Sequence, residues 1–261
     1  MQQTIKVTNI TPKNLCTWDD TLKHIEFCGR LCYNSRSKIE EDSFIRFYNM
    51  LCKKGHLSPL AHGTLYLTIP NDTAWKSTFD EYIPKGIWKR NPWIRVNENS
   101  DFIFITTNVR FIYTFGLKEW LQFITPPSYM HTKRISYEVE APISCIRELN
   151  RHAYLINGIC ELSTRYCNLE DGDYICTPPE IANKIEIGLG LYSTAINEGF
   201  KPEEAREVLP LGTMTVVDYT AFLDDWNEIM TKRSALAGAH GQHPICNEVA
   251  DLIYTDLQQY N

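Results

Sequence analysis

Arg147, Arg151 and Arg165 crowd into the stretch SCIRELNRHAYLINGICELSTRYCN, residues 144–168, with Glu148, His152, Glu161, Ser163 and Tyr166 among them. A guanidinium is a planar fork of donors, matched to oxygens that come in pairs on phosphates and pyrimidine rings. A serine hydroxyl and carboxylates add the short-range donors and acceptors that a ribose or a base edge needs. The same residues would also serve as a solvated helix face followed by a loop with a few ion pairs. The segment alone weighs evenly between the two.

Other polar residues have a plainer reading beside the functional one. Arg206 sits in KPEEAREVLP, where an exposed helix-end arginine is unremarkable, and Arg233 is a favourable cation for the last turn of a helix. His62 beside a strand suits a satisfied core histidine. His240 and His243 make an HxxH pair in Gly-rich surroundings, which reads as a loop, and no metal site is expected.

The chain has 261 residues, enough to bury a sizeable core, with 43% hydrophobic and 22% charged residues. A net charge of -6 argues against a broad nucleic-acid surface, which needs a basic face. Nine cysteines without a CxxC pair, and no signal-like or membrane-spanning stretch, lead to the expectation of free thiols in a cytoplasmic chain. An edge strand is expected at 3–10, amphipathic helices at 19–33 and 40–54 with Gly55 as the stop, and a strand at 63–69. Residues 71–100 are irregular, with Trp75, Trp88 and Trp93 amid Lys85, Lys89, Arg90 and Arg95; they read as a surface insertion, or as base-stacking aromatics. A strand turning into a helix follows at 102–115, then helices from Pro142 to Arg151 and over 180–198, 216–233 and 244–258. Strands and long helices without βαβ alternation indicate an α+β class with a mixed or antiparallel sheet.

Four blocks in order resemble the flavin-dependent thymidylate synthase family. Arg151-His152-Ala153 followed by Glu161-Leu162-Ser163-Thr164-Arg165-Tyr166 is similar to its R-H-R…S-x-R-Y signature. GHLSPLAHGTLYLTI at 55–69 resembles its G-H-x-S-P-L-E-H stretch and the strand after it, and AREVLP at 205–210 resembles A-R-x-x-L-P. The segment ending in Lys232-Arg233 and Gln242-His243-Pro244 is similar to its helix closing in L-R and its H-P block. STRYCN and TAFLDDW resemble a longer branch of the family, with an insertion that would lie at about 71–135 of a single domain spanning 1–261.

The resemblance implies reductive methylation of dUMP to dTMP by a homotetramer with shared active sites, using FAD, NADPH and methylenetetrahydrofolate. It assigns Glu148, Glu161, Ser163, Arg165, Arg206 and Arg233 to dUMP, with Arg233 also steadying negative charge on the uracil ring, and His62, Thr64, Arg151 and His152 to FAD. A fixed cation in a dry pocket stabilises a forming oxyanion better than water does. The departures fall on the flavin side. Ala153 stands where an arginine is usual, Ala61 where a glutamate is usual, and nine residues separate Ala153 from Ser163. Phe222, Asp224 and Glu228 replace the Asn and Arg that compact members direct at FAD. Other functions stand beside this one: a non-catalytic pyrimidine-nucleotide-binding homologue, a hydroxymethylating enzyme acting on dUMP, and, from a different class, a metal-dependent hydrolase using His56, His62, His152, His240 and His243.

Overall fold

The chain is described by a computed structural model covering residues 4–71, 91–170, 172–176 and 178–260. Strand β1 (Lys6–Asn9) leads into helix α1 (Trp18–Leu31), which starts at a capping box. Thr17 Oγ1 accepts from the Asp20 amide at 3.1 Å, and Asp20 accepts from the Thr17 amide at 3.1 Å. Helix α2 (Ser43–Lys54) stops at Gly55, whose φ of 68° lets its amide close on the carbonyls of Leu51 and Cys52. A 3-10 turn over Pro59–His62 then delivers the chain to β2 (Thr64–Pro70). Strands β3 (Arg95–Glu98) and β4 (Phe102–Asn108) precede the short helix α3 (Val109–Phe115), which Asn108 caps through the Phe111 amide.

The second half runs β5 (Arg134–Pro142), α4 (Ile143–Asn150), β6 (Gly158–Glu161), α5 (Ala182–Asn197), β7 (Met214–Phe222), α6 (Leu223–Arg233) and α7 (Pro244–Leu257). Two antiparallel sheets result, in the orders β1-β5-β7-β6 and β2-β4-β3. The observed class is α+β with antiparallel sheets. Each sheet owns a core. Val139, Val217 and Tyr219 of the first meet Trp226 and Ile229 of α6 and Val249 and Ile253 of α7. Leu65, Leu67, Ile103 and Ile105 of the second meet Ile25 of α1, Phe47 of α2 and Trp120.

Three expectations need correction. Residues 216–222, read as the front of a long helix, belong to β7, and α6 begins only at Leu223. Residues 214–222 are buried almost throughout, so β7 has no polar alternation to reveal its period. Strands β5 and β6 were not expected at all; β5 pairs with β7 from Arg134↔Phe222 to Pro142↔Met214. Within 71–100, residues 95–98, read as irregular, form a strand on β4; Trp93 packs against the second core beneath Arg110, which agrees with the reading of a segment that seats its tryptophans on the body rather than one that stacks on bases. Trp75, Trp88, Lys85, Lys89 and Arg90 lie outside the described residues.

Candidate nucleotide site

Helix α4 distributes the signature residues over two flanks. It buries Cys145, Ile146 and Leu149, so Arg147 and Asn150, three apart, share one edge, while Glu148 and Arg151 share the next. On the first flank, Arg147 and Asn150 face the end of β6 and the turn after it. Two adjoining cavities of about 440 and 340 Å³ share Glu161, Thr164 and Arg206. Arg147 and Asn150 line the first, and Ser163, Arg165 and Tyr166 line the second. The structure thus brings Glu161, Ser163, Arg165 and Arg206 around one cleft.

Most of these groups remain available to a ligand. Among the described residues Arg165 pairs with the Glu203 carboxylate at 3.6 Å and lies over the Tyr166 ring, and Arg206 pairs with the Glu207 carboxylate at 3.8 Å; both ion pairs are solvent-exposed and weak. The Ser163 hydroxyl accepts from the Arg165 amide at 3.2 Å. Burial holds the Glu161 carboxyl above its usual range, against a hydrogen bond from Thr215 and the charge of Arg147. Asn150 is fixed by the Tyr219 hydroxyl, which donates to its Oδ1 at 2.8 Å.

The second flank is a centre of its own. Arg233 is nearly buried; its Nε donates to His152 Nε2 at 2.9 Å and its Nη1 to Glu148 at 2.9 Å. The other oxygen of Glu148 pairs with Arg151 at 2.8 Å, so one carboxylate bridges two guanidiniums. Burial, followed by the charges of Arg233 and Lys232, keeps the His152 imidazole below its ordinary pKa. Its Nε2 accepts from Arg233, which assigns the proton to Nδ1. Glu148 and Arg233 therefore stand with Arg151 and His152, apart from the other residues assigned to dUMP.

His62 and Thr64 lie inside the molecule. His62 is 0% exposed and its Nδ1 bonds the Thr220 hydroxyl at 2.8 Å. Thr220 continues through Ser136 at 2.7 Å to His24 at 3.1 Å. Thr64 accepts from buried Arg134 at 3.0 Å, and Arg134 also donates to the Ala61 carbonyl and to Asn157. Sequence reasoning passed over Asn150, Thr164, Cys32 and Tyr33 as cleft residues. Asn150 had a signal in its i, i+3 spacing from Arg147; Cys32 and Tyr33, more than a hundred residues upstream, had none. Among the described residues no group of side chains is arranged to hold a metal ion, and no helix is long and apolar enough to cross a membrane.

The class defined by this α+β scaffold and its arginine-lined cleft has a counterpart among known families. Thy1, the thymidylate synthase complementing proteins, matches residues 117–259, more than half of the chain and the whole of the arginine region. The chain belongs to this family. Its structure is similar to that of a UMP/dUMP methylase, PolB from Streptomyces cacaoi, bound with 5-Br UMP, at a TM-score of 0.44 and 14% identity over 99% of this chain and 90% of that one. A comparison with curated proteins gave no match.

Proposed function

We propose that the cleft binds dUMP and that the chain acts on the pyrimidine ring of that nucleotide. The observation that supports this most is the convergence of Arg147, Glu161, Ser163, Arg165 and Arg206 on one cleft in a thymidylate synthase complementing protein. Arg165 and Arg206, both paired only weakly, are suited to the phosphate, since a guanidinium can meet two of its oxygens at once. Ser163, Asn150 and Glu161 supply the acceptors and donors for ribose hydroxyls and the base edge. Arg233, locked by Glu148 and His152 on the other flank of α4, serves the cleft of a neighbouring copy, in keeping with a homotetramer with shared sites.

Methylation to dTMP is the reaction this reading takes first, with methylenetetrahydrofolate as the one-carbon source and NADPH as the reductant. The residues assigned to FAD fit it poorly. His62 and Thr64 are enclosed and bonded within the chain, His152 spends its Nε2 on Arg233, and only Arg151 presents a charged group at the surface. That misfit favours a second reading, in which the nucleotide is bound but its ring is not turned over.

Calorimetric titration with dUMP tests the shared part of both readings. Saturable binding that Arg165→Ala and Arg206→Ala each weaken is the expected result, and no binding by the intact chain rejects it. Tritium release from C5-labelled dUMP then separates enzyme from binding protein, and product mass separates methyl from hydroxymethyl.

A further inference from the structure

The two halves of the cleft differ in character. Ile143, Ile146, Leu209 and Leu211 give the first cavity, of about 440 Å³, an apolar wall. The second holds Ser163 and Arg165, and Arg206 belongs to both. A nucleoside monophosphate with its phosphate on Arg165 and Arg206 therefore lays its ring in the first cavity, where aliphatic side chains suit a planar base.

Three polar side chains of that cavity each keep a free end of known sign. Arg147, a donor only, makes no hydrogen bond or ion pair among the described residues. The fully buried Tyr219 hydroxyl donates to Asn150 Oδ1 at 2.8 Å, which fixes the amide and leaves Nδ2 as the donor available to the cavity. Thr215 donates to Glu161 Oε1 at 3.4 Å, which leaves Oε2 as an acceptor. Two donors and one acceptor are what a uracil edge requires, since O2 and O4 accept while N3–H donates. Cytosine carries an amino donor at position 4 and a bare nitrogen at position 3, so it would leave these groups facing groups of their own sign. The resemblance assigns the uracil contact to Arg233, but that residue stands on the other flank of α4, bonded to His152 and Glu148.

We propose that Arg147, Asn150 and Glu161 read the base edge, so that the chain's own α4 and β6 select uracil over cytosine nucleotides. The inference rests on the dUMP reading of the cleft and adds the groups that choose the base. Tyr219 acts through Asn150 as a positioning residue, holding the amide with its nitrogen toward the ligand. Selection of this kind is strong because a mismatched base leaves polar groups of the site without partners.

The test is equilibrium binding of dUMP, dCMP, N3-methyl-dUMP and the base-free 2-deoxyribose 5-phosphate to the full chain. dUMP is expected to bind about tenfold or more tighter than dCMP and than N3-methyl-dUMP. Asn150→Asp keeps the acceptor for Tyr219 but exchanges the free donor for a second acceptor, and Arg147→Leu removes the other donor from an exposed position. Each should narrow the affinity ratio of dUMP to 2-deoxyribose 5-phosphate about tenfold, a ratio in which phosphate contacts and the change of net charge cancel. Retained binding of the base-free phosphate certifies that each variant is folded. Equal affinity for dUMP and dCMP, tolerance of the N3-methyl group, or a ratio that neither substitution alters overturns the base reading while leaving the nucleotide cleft intact. Failure of the unaltered chain to bind both dUMP and the base-free phosphate instead rejects the dUMP reading, and this inference with it.

Discussion

In the proposed dUMP cleft Arg165 and Arg206 should carry the largest share of the binding energy, because their ion pairs with Glu203 and Glu207 are long and exposed. A charged hydrogen bond to phosphate contributes about 1.5–3 kcal/mol, so replacing either by alanine should weaken dUMP roughly 10–150-fold. Ser163→Ala removes one neutral hydroxyl and should cost less, within about tenfold. Arg233 differs in kind, since its neighbours already occupy it. Burial and then the Arg233 charge hold His152 down. In Arg233→Met the burial contribution remains while the repulsive charge is gone, so the His152 titration followed by NMR should move upward. A midpoint that stays put would mean that Arg233 does not reach His152 as the 2.9 Å contact indicates.

Among the elements, β7 matters most, because it joins β5 to β6 and so joins the first core to the strand that ends in Glu161. Gly158 sits at the start of β6, opposite Thr220. A methyl group there would stand 3.0 Å from Thr220 Cβ and 3.1 Å from His62 Nδ1, both inside the buried hydroxyl–imidazole chain. Overpacking of this sort costs about 1–3 kcal/mol, and Gly158→Ala should lower the thermal midpoint measurably while leaving the exposed arginines in place. Gly55 is a different case. Its surroundings are open, but its φ of 68° strains any side-chain-bearing residue. Gly55→Ala should therefore cost about 1 kcal/mol by backbone strain alone.

For the whole molecule, pH acts through two opposed sets of buried groups. Burial first, then nearby arginines, depresses the His24 imidazole to about 3, and His62 also lies well below its ordinary value. Each stays neutral in the fold and takes a proton when unfolded, so its stabilisation is present above about pH 6.5 and drains away as pH falls. Burial raises Asp218 and Asp225 to about 7, which has the reverse effect. Their protonated forms favour the fold at low pH, and that contribution is lost as pH rises from about 4 to 7. The two sets largely cancel between pH 4 and 6.5. Removing one histidine should unbalance them: His24→Gln should turn the pH slope of unfolding free energy negative between about pH 4 and 6.5, by up to about 1.4 kcal/mol per pH unit, so that this variant loses stability as pH rises through that window. Urea midpoints at several pH values check this, and a slope identical to that of the unaltered chain would contradict the burial of His24.

The sequence by itself determined the signature arginines and serine, the capped or glycine-stopped helices α1 and α2, and the family, because each is written locally in residue type and spacing. Thr17 with Asp20, Gly55 after Lys54, and Ser163-Thr164-Arg165-Tyr166 need no partner elsewhere in the chain to be recognised. Tertiary structure alone decided which of the polar residues stand together. Strands β5 and β7 are enclosed for most of their length, which erases the alternation that would have announced them, and their pairing spans about eighty residues. The position of that sheet sets which edge of α4 meets β6 and which meets α6, and so separates Arg147 and Asn150 from Glu148 and Arg151. It also encloses His62 and Thr64 beside Thr220 and Arg134, an outcome of packing between segments that no short motif records.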